Sequence, residues 1–140
     1  MELVWNVFLE FEAIEYPKQG VEEFKRYIME DNILQMLDKK EIVIWGCFDR
    51  ELVGMIAGRI PDHITLLFVD KRYHRQGIAK QLFQIMKDDF INTYHIDKIT
   101  VNSSLYAKEV YKRLGFYEVQ EVQVVNGIPF ISMQMDVGKV

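Results

Sequence analysis

A strand, a long helix and a second strand follow one another between His63 and Asn102, and this order restricts the possible folds more than any other feature of the chain. His63–Val69 has an apolar centre (Ile64, Leu66, Leu67, Phe68, Val69), which predicts burial on both faces. Ile78, Leu82, Phe83, Ile85, Met86 and Phe90 then recur at helical spacing. Lys98–Asn102 reads as a short strand. Such a unit requires a right-handed crossover, and it makes its two strands parallel neighbours or near neighbours.

The flanking segments complete a mixed sheet. Leu3, Val4, Val7, Phe8 and Phe11 mark an opening amphipathic helix, which Tyr16-Pro17-Lys18-Gln19-Gly20 breaks. Val21, Phe24, Tyr27, Ile28 and Leu34 mark a second helix. Ile42–Phe48 and Leu52–Ile60 are β-branched and aromatic, with Asp49-Arg50 as a tight turn between them and Pro61-Asp62 as the next turn. Ala107, Val110, Tyr111 and Leu114 predict a helix N-capped by Ser103 or Ser104 and ended by a left-handed Gly115. Tyr117–Val125, Asn126-Gly127 and Pro129–Val137 read as a long hairpin. The expected fold is α/β (α+β), a mixed and mostly antiparallel central sheet flanked by helices. No repeat or linker divides residues 1–140, so a single domain is expected.

Charge and composition limit the function classes. The net charge of −4 argues against sequence-independent nucleic-acid binding, which needs a basic footprint. No apolar run reaches the roughly 18 residues of a spanning helix, and Met1 opens into an acidic amphipathic segment rather than a leader, so a cytoplasmic location is expected. Cys47 is the one cysteine, and His63, His74 and His95 lack metal-ligand spacing, so no metal is expected. Met1–Ile33 carries eight acids against three bases, which reads either as solvated helix faces or as a lip that attracts a cationic amine.

The chemistry concentrates between Asp70 and Lys80. A buried strand enters a basic loop, and a helix starts at Gly77. Unpaired N–H groups and the dipole at a helix N-terminus favour an anion, typically a phosphate. Gly77 and Ala79 leave the backbone approachable, and Arg72, Arg75 and Lys80 add positive charge. Basic side chains at that end of a helix oppose the dipole unless an anion offsets them. The spacing fits neither G-x-x-x-x-G-K-[ST] nor G-x-G-x-x-G, which removes ATP hydrolysis and NAD chemistry.

These residues resemble the GNAT N-acetyltransferase superfamily, whose cofactor motif reads Arg/Gln-x-x-Gly-x-Gly/Ala after an L-x-V-like strand end. Here Leu67-Phe68-Val69 precedes His74-Arg75-Gln76-Gly77-Ile78-Ala79. The second signature, an Asn-bearing strand and a helix ending in Tyr-x-x-x-Gly-Phe, matches Asn102 and Tyr111–Phe116. The resemblance runs from about Ile42 to Val137. His74 replaces the family's Arg or Gln, Arg75 stands where Gly is frequent, and the family's usual first strand has no counterpart before the opening helix. An uncovered sheet edge there would favour a homodimer.

The resemblance implies transfer of an acetyl group from acetyl-CoA to a primary amine of a small molecule or protein. Backbone N–H groups of Gln76, Gly77, Ile78, Ala79 and Lys80, beside His74 and Arg75, would hold the pyrophosphate. Phe68 and Val69 would align the pantetheine as an added strand, with Asn102 and Ser104 contacting the same arm. Tyr111 would be the general acid for the thiolate, although it also lies on an apolar helix face. For the general base, which must yield a neutral amine, the sequence offers Asp62, His63, Glu10, Glu12 and Glu15, and His63 has the best ordinary pKa. Trp5, Phe8, Phe11, Phe24 and Tyr27 would line the acceptor side or form core. A non-catalytic CoA-binding module on the same fold is the alternative.

Overall fold

A computed structural model describes residues 2–138. Helix α1 (Glu2–Phe11) buries Val4 and Phe8, four residues apart on one face. Helix α2 (Lys18–Tyr27) follows Pro17, whose extended conformation makes it a helix boundary. Gly20 therefore sits inside this helix rather than ending the preceding break. Its missing side chain is needed for packing, because a Cβ there would lie 2.7 Å from Cγ1 of Ile128.

The helix expected from Val21 to Leu34 is two helices, α2 and α3 (Glu30–Asp38). Met29 is extended between them, and the Asn32 side-chain amide donates to the Tyr27 carbonyl at 2.7 Å. A side chain thus takes an end carbonyl of α2 that a continuous helix would have used.

The strands are β1 (Ile42–Asp49), β2 (Glu51–Arg59), β3 (His63–Val69), β4 (Lys98–Ser103), β5 (Tyr117–Glu118), β6 (Gln123–Val125) and β7 (Ile128–Asp136). Their order is β1-β2-β3-β4-β7-β5, with β6 also on β7. Only β3 and β4 are parallel, joined by the crossover helix α4 (Ile78–Tyr94). The last helix, α5 (Lys108–Leu114), ends at Gly115, whose φ of +110° suits glycine. Among the described residues no strand precedes α1, and β1 is a sheet edge with Trp45 and Phe48 exposed.

Two differences from the sequence reading have clear causes. The Tyr117–Val125 strand is interrupted, because Gln120, Glu121 and Val122 stand opposite Ile131 alone between the two paired stretches on β7. Neither Ser103 nor Ser104 caps α5, whose N-cap is Ala107 with no side-chain cap; the Ser104 hydroxyl oxygen instead accepts the Ala107 N–H at 3.1 Å in the turn that precedes the helix. The Ser103 hydroxyl donates to the Ser104 carbonyl at 2.7 Å.

The feature that shapes the molecule is a bulge in β3. Ala57 pairs with Leu66 and Gly58 with Ile64, so Thr65 is an extra residue, and its hydroxyl donates to the Ala57 carbonyl at 3.2 Å. The bulge changes which side chains face which layer. Ile64 and Val69 pack beneath α4 with Leu82, Met86 and Phe90, whereas Leu66 and Phe68 pack beneath α1 with Val4 and Phe8. It also ends the pairing with β4, which is confined to His63↔Thr100 and Ile64↔Val101. From Thr65 onward β3 and β4 part, and among the described residues no strand pairs with that edge of Leu66–Val69.

Candidate active site

Beside that edge, between β3, the start of α4 and α5, lies a cavity of about 590 Å³. One end is the start of α4, lined by His74, Arg75, Gly77, Ile78, Ala79 and Lys80. Gly77 is the residue before the helix, with φ +78°, and a Cβ added to it would meet nothing within 4 Å. The left-handed turn thus presents open backbone to the cavity. Arg75, at φ +64°, shares the left-handed region and makes the turn with it.

The basic loop divides its charges. Arg72 forms ion pairs with Asp70 and Glu51 at 2.9 and 3.1 Å, and Lys71 pairs with Glu10 at 2.8 Å. Arg72 is therefore tied to the loop and to the start of β2 and does not line the cavity. Arg75 and Lys80 do line the cavity, and Arg113 of α5 joins them. Sequence reading missed Arg113 and Tyr106. Both share a helical stripe with Val110, at spacings of four and three residues, which was the available signal.

The middle of the cavity is the free edge of β3, at Leu67, Phe68 and Val69. His74 Nε2 donates to the Val69 carbonyl at 2.8 Å, and its ring packs 5.4 Å from that of Phe11. Phe11 in turn packs 5.0 Å from Tyr106, so α1 reaches the loop after β4 across the cleft. Phe8 and Phe24 do not face the cavity; they stack at 4.1 Å within the core beneath α1.

The inner end holds Tyr111, Tyr106 and Glu12. Burial, reinforced by the Glu12 carboxylate, raises the Tyr111 phenol well above the ordinary tyrosine range. Burial also raises Glu12 itself, with Glu15 reinforcing and a hydrogen bond from Ser104 opposing. Glu15 is raised by burial, partly offset by the Tyr106 N–H, which donates to its Oε1 at 3.1 Å. Glu15 Oε2 is buried without a partner. Tyr16 is pushed up to about 12 by burial and by both carboxylates.

Other sequence candidates are placed elsewhere. His63 lies at the far end of β3 from Val69, with Nδ1 2.7 Å from Thr100 Oγ1. Burial and Arg59 lower its pKa against the pull of Asp62, and it is not among the cavity-lining residues. Asn102 accepts from the Ser132 hydroxyl at 3.2 Å, and the Gln76 side chain donates to the Arg72 carbonyl at 3.4 Å. Neither side chain lines the cavity, and Ser104 is occupied with Ala107 and Glu12. Among the described residues no His, Cys, Asp and Glu side chains are grouped to hold a metal ion, and no helix is long and apolar enough to cross a membrane.

Comparisons with known proteins agree with this geometry. In fold, the chain is similar to a GCN5-related N-acetyltransferase from Rhodopseudomonas palustris, at a TM-score of 0.80 and 18% identity over 97% of this chain and 86% of that one. The PaiA N-acetyltransferase from Thermoplasma acidophilum, solved in complex with coenzyme A, aligns at a TM-score of 0.73 and 17% identity over 96% and 89% of the two chains. In sequence, the chain is 36% identical over 83 residues to YafP of Escherichia coli K12, described as an uncharacterized N-acetyltransferase. That match covers 58% of this chain and 50% of YafP, so it spans half the length of that relative. The family model described as an acetyltransferase (GNAT) domain matches residues 12–137, which takes in the bulged strand, the Gly77 turn and the Tyr111 helix together. The chain therefore belongs to the GNAT acetyltransferase family.

Proposed function

We propose that the chain transfers the acetyl group of acetyl-CoA to a primary amine. The observation that carries this reading is the continuity of one cavity from the Gly77 turn, along the unpaired edge of β3, to Tyr111. The residues present fit the cosubstrate. An open glycine turn at a helix N-terminus, flanked by Arg75 and Lys80, suits a pyrophosphate. An unpaired strand edge suits an amide-bearing arm that hydrogen-bonds as a strand does.

In this reading the backbone N–H groups of Gln76–Lys80 bind the diphosphate, and Gln76 serves through its backbone alone. His74 fixes the Val69 carbonyl and so holds the end of β3. The edge at Phe68 and Val69 aligns the acyl donor beside the acceptor, an orientation effect that accounts for much of the acceleration of a two-substrate reaction. Tyr111, whose phenol burial raises above the ordinary tyrosine range, delivers its proton to the departing sulfur. Asn102 and Ser104 act at one remove, Asn102 through β7 and Ser104 through Glu12 and the turn at Ala107. The carboxylates of Glu12 and Glu15 beside Tyr16 and Tyr106 favour a cationic acceptor.

The test is a thermal-shift titration with acetyl-CoA followed by thiol release against a panel of polyamines, amino sugars and lysine peptides. Stabilisation together with thiol release is expected. No stabilisation would sink the reading, and binding without release on any amine would favour a non-catalytic CoA-binding module.

A further inference from the structure

The proposed transfer needs a proton acceptor, because a primary amine reaches neutral pH as an ammonium and cannot attack until a proton leaves. His63 is on the wrong end of β3, hydrogen-bonded to Thr100 and away from the cavity. Asp62 precedes it, and Glu10 is engaged by Lys71 at the surface. Glu12 alone among the candidate carboxylates lines the same cavity as Leu67, Phe68, Val69 and Tyr111.

We propose that Glu12, which lines the same cavity as the free edge of β3 and Tyr111, is the general base for the acceptor ammonium. This inference rests on the transferase reading above and adds the residue that activates the amine.

The proton and electron flow closes. Glu12 takes one proton from R–NH3+. The freed nitrogen lone pair forms a C–N bond to the thioester carbonyl carbon, and the C–S bond breaks with its electron pair going to sulfur. Tyr111 gives its phenolic proton to that sulfur and regains one from the nitrogen, which leaves as a neutral amide. Glu12 then releases its proton to water.

Glu12 faces Glu15 and Tyr16 from the segment after α1, Ser104 and Tyr106 from the β4–α5 loop, and Tyr111 from α5; Glu10 acts on Tyr106 as well. Arg75, Lys80 and Arg113 line the same cavity, yet burial, with Glu15 reinforcing and the Ser104 hydrogen bond opposing, keeps the Glu12 carboxyl basic. The same carboxylate is the second cause of the raised Tyr111 phenol.

The experiment compares wild type, Glu12→Gln and Glu12→Ala with acetyl-CoA and the best amine of the panel. At pH 7.5, Glu12→Gln is expected to lower kcat about 100-fold or more, with the KM for acetyl-CoA unchanged. Its activity should climb with pH toward about 10, where an alkylamine deprotonates without help. Added formate should restore part of the activity of Glu12→Ala, which keeps the idea testable should the Gln variant fold poorly. A readout independent of turnover is the carboxyl carbon NMR signal present in wild type and absent from Glu12→Gln, expected to titrate above the usual carboxylate range. A midpoint at or below about 4.3 overturns the proposal. So does a loss under threefold in Glu12→Gln, a loss that persists unchanged to pH 10, or a loss that follows His63→Gln instead. If wild type binds acetyl-CoA but releases no thiol with any amine, the transferase reading itself fails and this one falls with it.

Discussion

His74 Nε2 stands 2.8 Å from the carbonyl oxygen of Val69, joining the loop before α4 to the last residue of β3. A carbonyl only accepts, so the imidazole carries its proton on Nε2. Histidine at this position departs from the family's Arg or Gln, and the contact shows what it does here: it pins the strand end to the loop. His74→Ala is expected to weaken acetyl-CoA binding about fivefold, the equivalent of one ordinary hydrogen bond. His74→Gln keeps a donor and should recover most of the loss. Calorimetry on the three proteins checks this, and equal affinity for wild type and His74→Ala would refute it.

Gly77→Ala separates strain from binding. The new Cβ meets no atom within 4 Å, so the stability cost comes from φ +78° alone, about 1 kcal/mol. The methyl group projects where the backbone should receive the diphosphate. We expect a modest fall in Tm without ligand and a much larger loss of the stabilisation that acetyl-CoA confers. Parallel losses in both measurements would mean that the turn is structural only.

Tyr111→Phe keeps the edge-to-face packing of the ring on Phe116, whose centroid is 5.5 Å away. Stability and acetyl-CoA affinity should therefore change little, while kcat at saturating acetyl-CoA falls about 100-fold or more. An unchanged kcat would return Tyr111 to a purely packing role.

Glu12 should also show itself in stability. Its carboxyl is raised by burial, so the folded state holds the proton more tightly than the unfolded chain does. That contribution is fully present below the unfolded value near 4.3 and is lost as pH rises through the folded value. Glu12→Gln, neutral throughout, should accordingly have a higher Tm than wild type at pH 8, with the difference vanishing near pH 4. Thermal melts across that range decide it; a variant less stable than wild type at pH 8 would contradict the burial argument.

Gly20→Ala tests how the β6–β7 hairpin holds α2. A Cβ 2.7 Å from Ile128 Cγ1 forces one element aside, an overpacking cost of about 1–3 kcal/mol. Adding Ile128→Val should recover part of it. Chemical denaturation of the single and double variants measures the coupling.

Much of this molecule is legible in its residues. The apolar run of β3, the helical spacing of α4 and the Asn-Gly turn at Asn126-Gly127 place elements whose signals are local. Gly77 and Gly115 sit where their chemistry predicts, both at positive φ. What escaped depends on contacts made across the chain. Gly20 reads as a breaker until Ile128 is seen against it. Arg72 reads as phosphate-binding until Glu51 and Asp70 claim it. Glu12 is one acid among several in sequence, and only the close of α1 over the cleft distinguishes it from Glu10, which lies two residues away and faces Lys71. His63 has the right ordinary pKa and the wrong end of the strand.

The bulge at Thr65 leaves two half-sheets joined along a short backbone ladder, His63↔Thr100 and Ile64↔Val101 with the Thr100 N–H also donating to the Asp62 carbonyl. Beyond that seam the wedge is spanned by side chains such as the Phe11–Tyr106 pair and the Glu15–Tyr106 hydrogen bond. A chain seated along the open edge of β3 would take the place of an eighth strand and bridge both halves. Its binding energy would then count toward the unfolding free energy of the whole domain. The cosubstrate would act as a keystone, and the protein should be at its most rigid when ready to react.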